Sequence, residues 1–153
     1  MAPLIVMVVA FVMFRLLGAA GIFTAASNSS GALRFALAAM FVFTALSHFL
    51  PRTRADLVRM VPARLPYPGL LVTATGVLEL LGAVGLLVPG LVRASAYALM
   101  ALLVALFPAN IRAARMRLFV AGRPATPLAI RLPLQLFWIA ALWWVAVANG
   151  RAA

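Results

Sequence analysis

The chain has 153 residues, 67% of them hydrophobic, with a mean hydropathy of +1.14 and a formal charge of +11 carried by thirteen arginines and no lysine. This composition excludes a soluble globular domain, and no segment is long and polar enough to present a nucleic-acid-binding face. With no cysteine, the chain itself has no disulfide, thiol redox chemistry or thiolate metal site.

A hydrocarbon core about 30 Å thick takes roughly 20 apolar residues of helix. Five stretches meet that length: Pro3 to Thr24, Ala32 to Leu50, Gly69 to Val88, Val92 to Ala109 and Leu128 to Ala148. The expectation is an all-α transmembrane helix bundle forming a single membrane domain over 1–153. Its first segment, 3–24, is a span or a signal segment, and a four-helix core follows over 32–148. Small-residue sites at Gly18-Ala19-Ala20 and Thr24-Ala25-Ala26 suit a leader; the lack of a basic residue before Leu4, and Arg15 inside the apolar run, favour a retained span.

Arg15 lies about 18 Å along the first span. Ser27 to Gly31 then breaks the chain, and the second span runs from Arg34 to Thr44, Ser47 and His48 at its far end. The next break, Pro51 through Pro68, holds Arg52, Arg54, Arg59 and Arg64 with Asp56. Thr53 and Asp56 have capping-box spacing, and Leu57, Met60 and Val61 share one side, so a short interfacial helix is expected, its arginines reaching lipid head groups. Pro66-Tyr67-Pro68 returns the chain to the membrane as a stiff turn.

Glu79 falls about 15 Å into the third span, near the midplane, where an exposed carboxylate is strongly penalised. Thr75, Gly76, Gly82 and Ala83 flank it at helical spacing as a small-residue face, which turns it into the bundle. Arg15 reaches a similar depth and is the expected partner, through paired guanidinium–carboxylate hydrogen bonds. The competing arrangement has Arg15 snorkelling, or removed with a leader, and Glu79 bonded to a hydroxyl such as Thr44 or to a ligand. His48 differs in depth from Glu79 by roughly 12 Å on these boundaries, so direct contact is not expected.

The fourth span ends Phe107-Pro108-Ala109-Asn110-Ile111. Pro108 frees the carbonyl of Val104, so that Asn110 turns inward toward His48, or else it simply ends the helix before Arg112, Arg115, Arg117 and Arg123. In the first case His48, Glu79 and Asn110 line a shared cavity. The last span carries Arg131, Gln135 as a possible interhelical donor, Phe137 and Trp138 at depth, and Trp143 and Trp144 suited to an interfacial belt. Arginines concentrate in the second and fourth breaks, leaving only Arg34 and Arg93 at the first and third, so the positive-inside rule puts the N-terminus in the cytoplasm and the C-terminus outside. No catalytic constellation or metal-ligand set is recognisable.

Taken in order, Arg34 and Ser47-His48-Phe49, Val61-Pro-Ala-Arg-Leu-Pro66, Thr75-Gly-Val-Leu-Glu79-Leu-Leu-Gly82 and Phe107-Pro-Ala-Asn-Ile111 resemble the DoxX-like family of small bacterial membrane proteins, over about Arg34 to Ala148. The resemblance implies a four-helix core in a bacterial inner membrane, with His48, Glu79 and Asn110 as the carried-over polar residues. It also implies association with quinone-linked redox assemblies. The expected function is an accessory component of a membrane redox system, binding a lipophilic molecule such as a quinone beside a redox-complex partner and membrane lipids. The alternatives are a non-enzymatic assembly or chaperone subunit and, third, a proton- or metabolite-coupled transporter.

Overall fold

The computed structural model describes residues 2–120 and 122–150. The architecture is all-α: α1 (Ala2–Ala19), α2 (Ser29–Phe49), α3 (Pro51–Met60), α4 (Pro68–Leu87), α5 (Val92–Arg115) and α6 (Leu128–Gly150). Every one of these except α3 is long and apolar enough to cross a membrane, as five hydropathic stretches lead one to expect. A two-residue antiparallel ladder, β1 (Phe119–Val120) with β2 (Arg123–Pro124), closes the α5–α6 connection.

α2 is the central helix. It packs against α1, α4 and α6, while α5 joins α4 to α6 on the far side, and α1 packs chiefly on α2. The side of α2 that carries Leu37, Met40 and Phe41 is buried against Leu86 of α4, Leu99 of α5 and Leu142 and Val145 of α6. Outward-facing residues are equally apolar, among them Leu70, Leu78, Leu81 and Val84 on α4, which suits helices solvated by lipid rather than water.

Helix boundaries follow local chemistry. Asn28 caps α2, its side chain accepting from the Gly31 amide at 2.7 Å. α3 starts at Pro51, a residue suited to a first helical position, two residues before the expected capping threonine. Thr53 therefore lies inside the helix, where its hydroxyl donates back to the carbonyls of Ser47 and Leu50. Met60 is buried and Leu57 and Val61 half-buried, as the amphipathic reading requires. Tyr67 takes a left-handed conformation (φ 52°) at the stiff turn before α4. Pro108 does not end α5; the helix continues through Asn110 to Arg115.

One end of the bundle gathers the C-terminus of α2, all of α3, the N-terminus of α4, the C-terminus of α5 and the start of α6. Arg52, Arg54, Arg59, Arg64, Arg112, Arg115, Arg117 and Arg131 therefore share that end. Arg52, Arg59, Arg64, Arg115 and Arg117 are exposed. Arg54 departs from the expected head-group role because protein acceptors capture it, and Arg112 also bonds to a backbone carbonyl. Arg54 donates to the carbonyls of His48 (3.1 Å) and Gly69 (3.0 Å) and to the Thr73 hydroxyl (2.9 Å), tying α3 to the facing ends of α2 and α4. Arg112 donates to the Arg59 carbonyl at 3.3 Å, tying α5 to α3.

Candidate polar site between α2 and α4

Gly76 sets the site up. A Cβ placed there would lie 2.6 Å from the His48 Cβ, so only glycine lets α4 pass this close to α2. The helices run antiparallel, with Gly76 opposite His48 and Glu79 opposite Thr44. His48 and Glu79 are 7% and 5% exposed, and His48 Nε2 stands 3.7 Å from Glu79 Oε1.

This contact overturns the expected separation of the two residues. The depth argument started α2 and α4 from one plane, whereas the structure staggers them: the residue opposite His48 is eight positions into α4, about 12 Å along its axis. Counted from the expected span ends, Gly69 and Leu50, the stagger removes about 7.5 Å of the supposed 12 Å difference in depth. The remaining rise from Gly76 to Glu79, about 4.5 Å, is bridged by side chains that lean toward the N-termini of their own antiparallel helices, and so toward each other.

Each member of the pair is held from behind. His48 Nδ1 lies 2.8 Å from the Val72 carbonyl, which can only accept, so Nδ1 carries a proton and Nε2 is the nitrogen turned to Glu79. The Thr75 hydroxyl sits 3.3 Å from the same Nδ1 and donates to the Leu71 and Val72 carbonyls. Thr44 donates to Glu79 Oε2 at 2.8 Å, the hydroxyl partner weighed as the alternative to Arg15. What remains is one position on each residue, Nε2 and Oε1, facing one another beyond hydrogen-bond length.

Arg15 is elsewhere. Its guanidinium donates to the carbonyls of Ala26 and Ser27, closing the turn after α1, so the expected Arg15–Glu79 pair does not form. The turn competes successfully because Gly18 lets the Ala26 carbonyl lie directly against α1.

Asn110 is also elsewhere, because α5 continues past Pro108 and carries it toward α6. Arg131 donates to Asn110 Oδ1 at 2.6 Å, Asn110 donates to Gln135 Oε1 at 3.5 Å, and Gln135 Nε2 donates to the Leu103 carbonyl at 2.8 Å. This second polar network belongs to the α5–α6 seam, and the expected cavity shared by His48, Glu79 and Asn110 is not formed. Gln135 does serve as an interhelical donor. Of the aromatic residues of α6, Trp138 packs on the core, whereas Phe137, Trp143 and Trp144 are exposed.

Among the described residues, two grooves on the lipid-facing surface are lined by neither His48, Glu79 nor Asn110. One, about 280 Å³, runs along the α4–α5 seam over Leu78, Leu81, Gly82, Ala94, Ser95, Ala98 and Leu102. The other lies between α1 and α6 over the first turns of α2. Among the described residues no three of His, Asp or Glu cluster as a metal would need.

No curated protein and no solved structure matches the chain. A family model described as Domain of unknown function (DUF8561) matches residues 37–146, from the third turn of α2 to the last turns of α6, and so takes in both polar seams but not α1. Since that segment is well over half of the 153 residues, the chain belongs to the DUF8561 family.

Proposed function

We propose that this protein is a DoxX-like accessory component of a membrane redox system, seated in a bacterial inner membrane, and that it receives a quinone head group between α2 and α4. The observation that carries this reading is the pair of facing, unfilled positions on His48 Nε2 and Glu79 Oε1, 3.7 Å apart in an apolar bundle. With Nδ1 already a donor to Val72, Nε2 accepts when the imidazole is neutral and donates when it is protonated. Glu79 has the complementary choice. One shared proton therefore lets the pair give a hydrogen bond to a quinone carbonyl or both give and take one with a quinol hydroxyl; since His48 and Glu79 line neither groove, the head group enters only as the two side chains part.

The chain's own part is to bind and orient. Thr44 and Thr75 fix the two side chains, and Gly76 keeps the helices close enough for both to reach one small group. A bound quinone would supply electron and proton carriage to a partner redox protein. On this reading the exposed arginines contact lipid head groups on the cytoplasmic side, as the positive-inside rule directs.

The test is extraction and mass spectrometry of lipids from natively purified protein, followed by titration with a short-chain quinone. A near-stoichiometric quinone, lost in His48→Gln and Glu79→Gln proteins of unchanged melting behaviour, is the expected result. No quinone on extraction together with no saturable binding rejects the proposal.

A second reading, an assembly subunit, is favoured by the α4–α5 groove. Gly82, Ala94, Ser95 and Ala98 give it the small-residue floor on which membrane helices pack closely. It predicts a co-purifying membrane protein released by Ala98→Phe while the His48–Glu79 site is untouched.

A further inference from the structure

Arg34 sits in the second turn of α2, at the end of the bundle away from the arginine-rich end. It is 9% exposed, its Nε is wholly buried without a hydrogen-bond partner, and its guanidinium carbon lies 4.7 Å over the Phe35 ring. No hydrogen bond or ion pair to Arg34 occurs among the described residues. An arginine keeps its charge, so burial does not neutralise it, and an uncompensated charge in this environment is costly. The chain cannot supply the missing charge from an acidic side chain. It has only two: Glu79, held by Thr44 and facing His48, and Asp56, on α3. Both lie toward the other end, with His48 itself fourteen residues, about 21 Å, along α2 from Arg34.

The neighbourhood contributes one more donor. Ser30 is one helical turn before Arg34 on the same side of α2, and its hydroxyl oxygen accepts from Asn149 Nδ2 of α6 at 3.5 Å; that amide also donates to the Val145 carbonyl at 2.8 Å, so the O–H of Ser30 is the donor left over. A guanidinium and a hydroxyl, with no acidic side chain beside them, are groups that hold a phosphate oxyanion. Depth agrees with a head group. Arg34 is five residues, about 7.5 Å, from the start of α2, and the exposed Trp143 and Trp144 approach the same end of α6. On the adjoining side of those first turns, Ser29 and Leu33 floor the apolar groove of about 300 Å³ walled by Met7, Phe11, Phe137 and Trp144. Ser30, Arg34 and Asn149 all fall outside residues 37–146, so this site is separate from the family-matched segment.

We infer that Arg34, with Ser30 oriented by Asn149, binds the phosphate of a phospholipid whose acyl chain lies in the groove between α1 and α6. The lipid completes this end of the bundle by supplying the counter-charge that no acidic side chain there provides.

The experiment uses the full chain with a C-terminal affinity tag, which moves the terminal carboxylate away, in a non-ionic detergent. Melting temperature and native mass spectra are recorded with phosphatidylglycerol, with diacylglycerol and with inorganic phosphate. The expected result is a retained phosphatidylglycerol adduct and a raised melting temperature that diacylglycerol does not reproduce. Retention should weaken at least tenfold in Arg34→Gln and Arg34→Leu. Protection by millimolar phosphate equal to that by phospholipid supports the oxyanion site and identifies a soluble anion as its source. Equal protection by diacylglycerol and phosphatidylglycerol in the wild-type chain overturns the inference even if neither variant folds, and so does undiminished retention in Arg34→Leu.

Discussion

Between α2 and α4, His48 faces Glu79 and each is backed by a threonine. Between α5 and α6, Arg131 donates to Asn110 and Gln135 donates to the Leu103 carbonyl, with no carboxylate in the network. Both seams bury polar atoms among apolar helices, but they balance charge by different means. The first sets a carboxyl group against an imidazole, two groups whose charges oppose one another. The second contains a fixed positive charge and amides, and tolerates it because Arg131 lies in the first turn of α6, at the end where exposed arginines collect. The α2–α4 seam thus sets an acid against a base, whereas the α5–α6 seam sets a cation among amides.

The hardest way to break the first seam is to part its helices. Gly76→Leu drives a side chain into His48 Cβ and Phe49, and the expected loss of stability is about 3 kcal/mol or more, the upper range for overpacking. Gly90→Leu, where nothing lies within 4 Å, should stay within about 0.5 kcal/mol. Thermal unfolding of the two detergent-solubilised variants checks the contrast. Next in size is His48→Leu, which leaves Glu79 with Thr44 alone in an apolar interface and should cost about 3 kcal/mol. Adding Glu79→Leu should restore much of that loss, since a buried polar pair is often replaceable by apolar side chains. A double variant no more stable than the single would show that the pair is not the unit described.

In the α5–α6 seam the same kind of deletion should matter less. Asn110→Leu removes the acceptor of Arg131, but the guanidinium is near the bundle end and can turn outward, so the expected cost is about 1 kcal/mol, read from the same unfolding experiment. A cost as large as that of His48→Leu would remove the distinction between the seams.

Much of this was legible in the residues. Five spans, the interfacial helix and the inward turn of Glu79 follow from hydropathy, from the spacing of Leu57, Met60 and Val61, and from the small residues around Glu79. The partner of Glu79 was harder to read, because depth counted along separate helices carries no information on how far one slides past its neighbour. The sequence does hold a signal for the true register: Gly76 is the small residue one turn before Glu79, and a bulky side chain opposite it, His48, is what such a gap accommodates. Thr44, one turn before His48, then falls opposite Glu79. Arg54 misled for a different reason. A basic residue in an interfacial helix is ordinarily solvated by head groups, and only the tertiary approach of Gly69 and Thr73 gives it better acceptors. Asn110 was misdirected by Pro108, which α5 absorbs while remaining helical.

The smallest expected effect concerns Arg15, and it tests whether the α2–α4 seam is self-contained. Arg15 binds backbone carbonyls of the turn after α1, while Glu79 accepts from Thr44 and faces His48, so the two residues share no partner. Arg15→Leu should loosen that turn by about 1 kcal/mol, the value of hydrogen bonds lost at a partly exposed site. Combined with Glu79→Gln in a double-mutant cycle, its coupling energy should be zero within about 0.5 kcal/mol, as for sites that do not interact. A coupling of 2 kcal/mol or so would mean that the guanidinium and the carboxylate meet in the membrane after all, and the proton-sharing role given to His48 would then pass to a fixed ion pair.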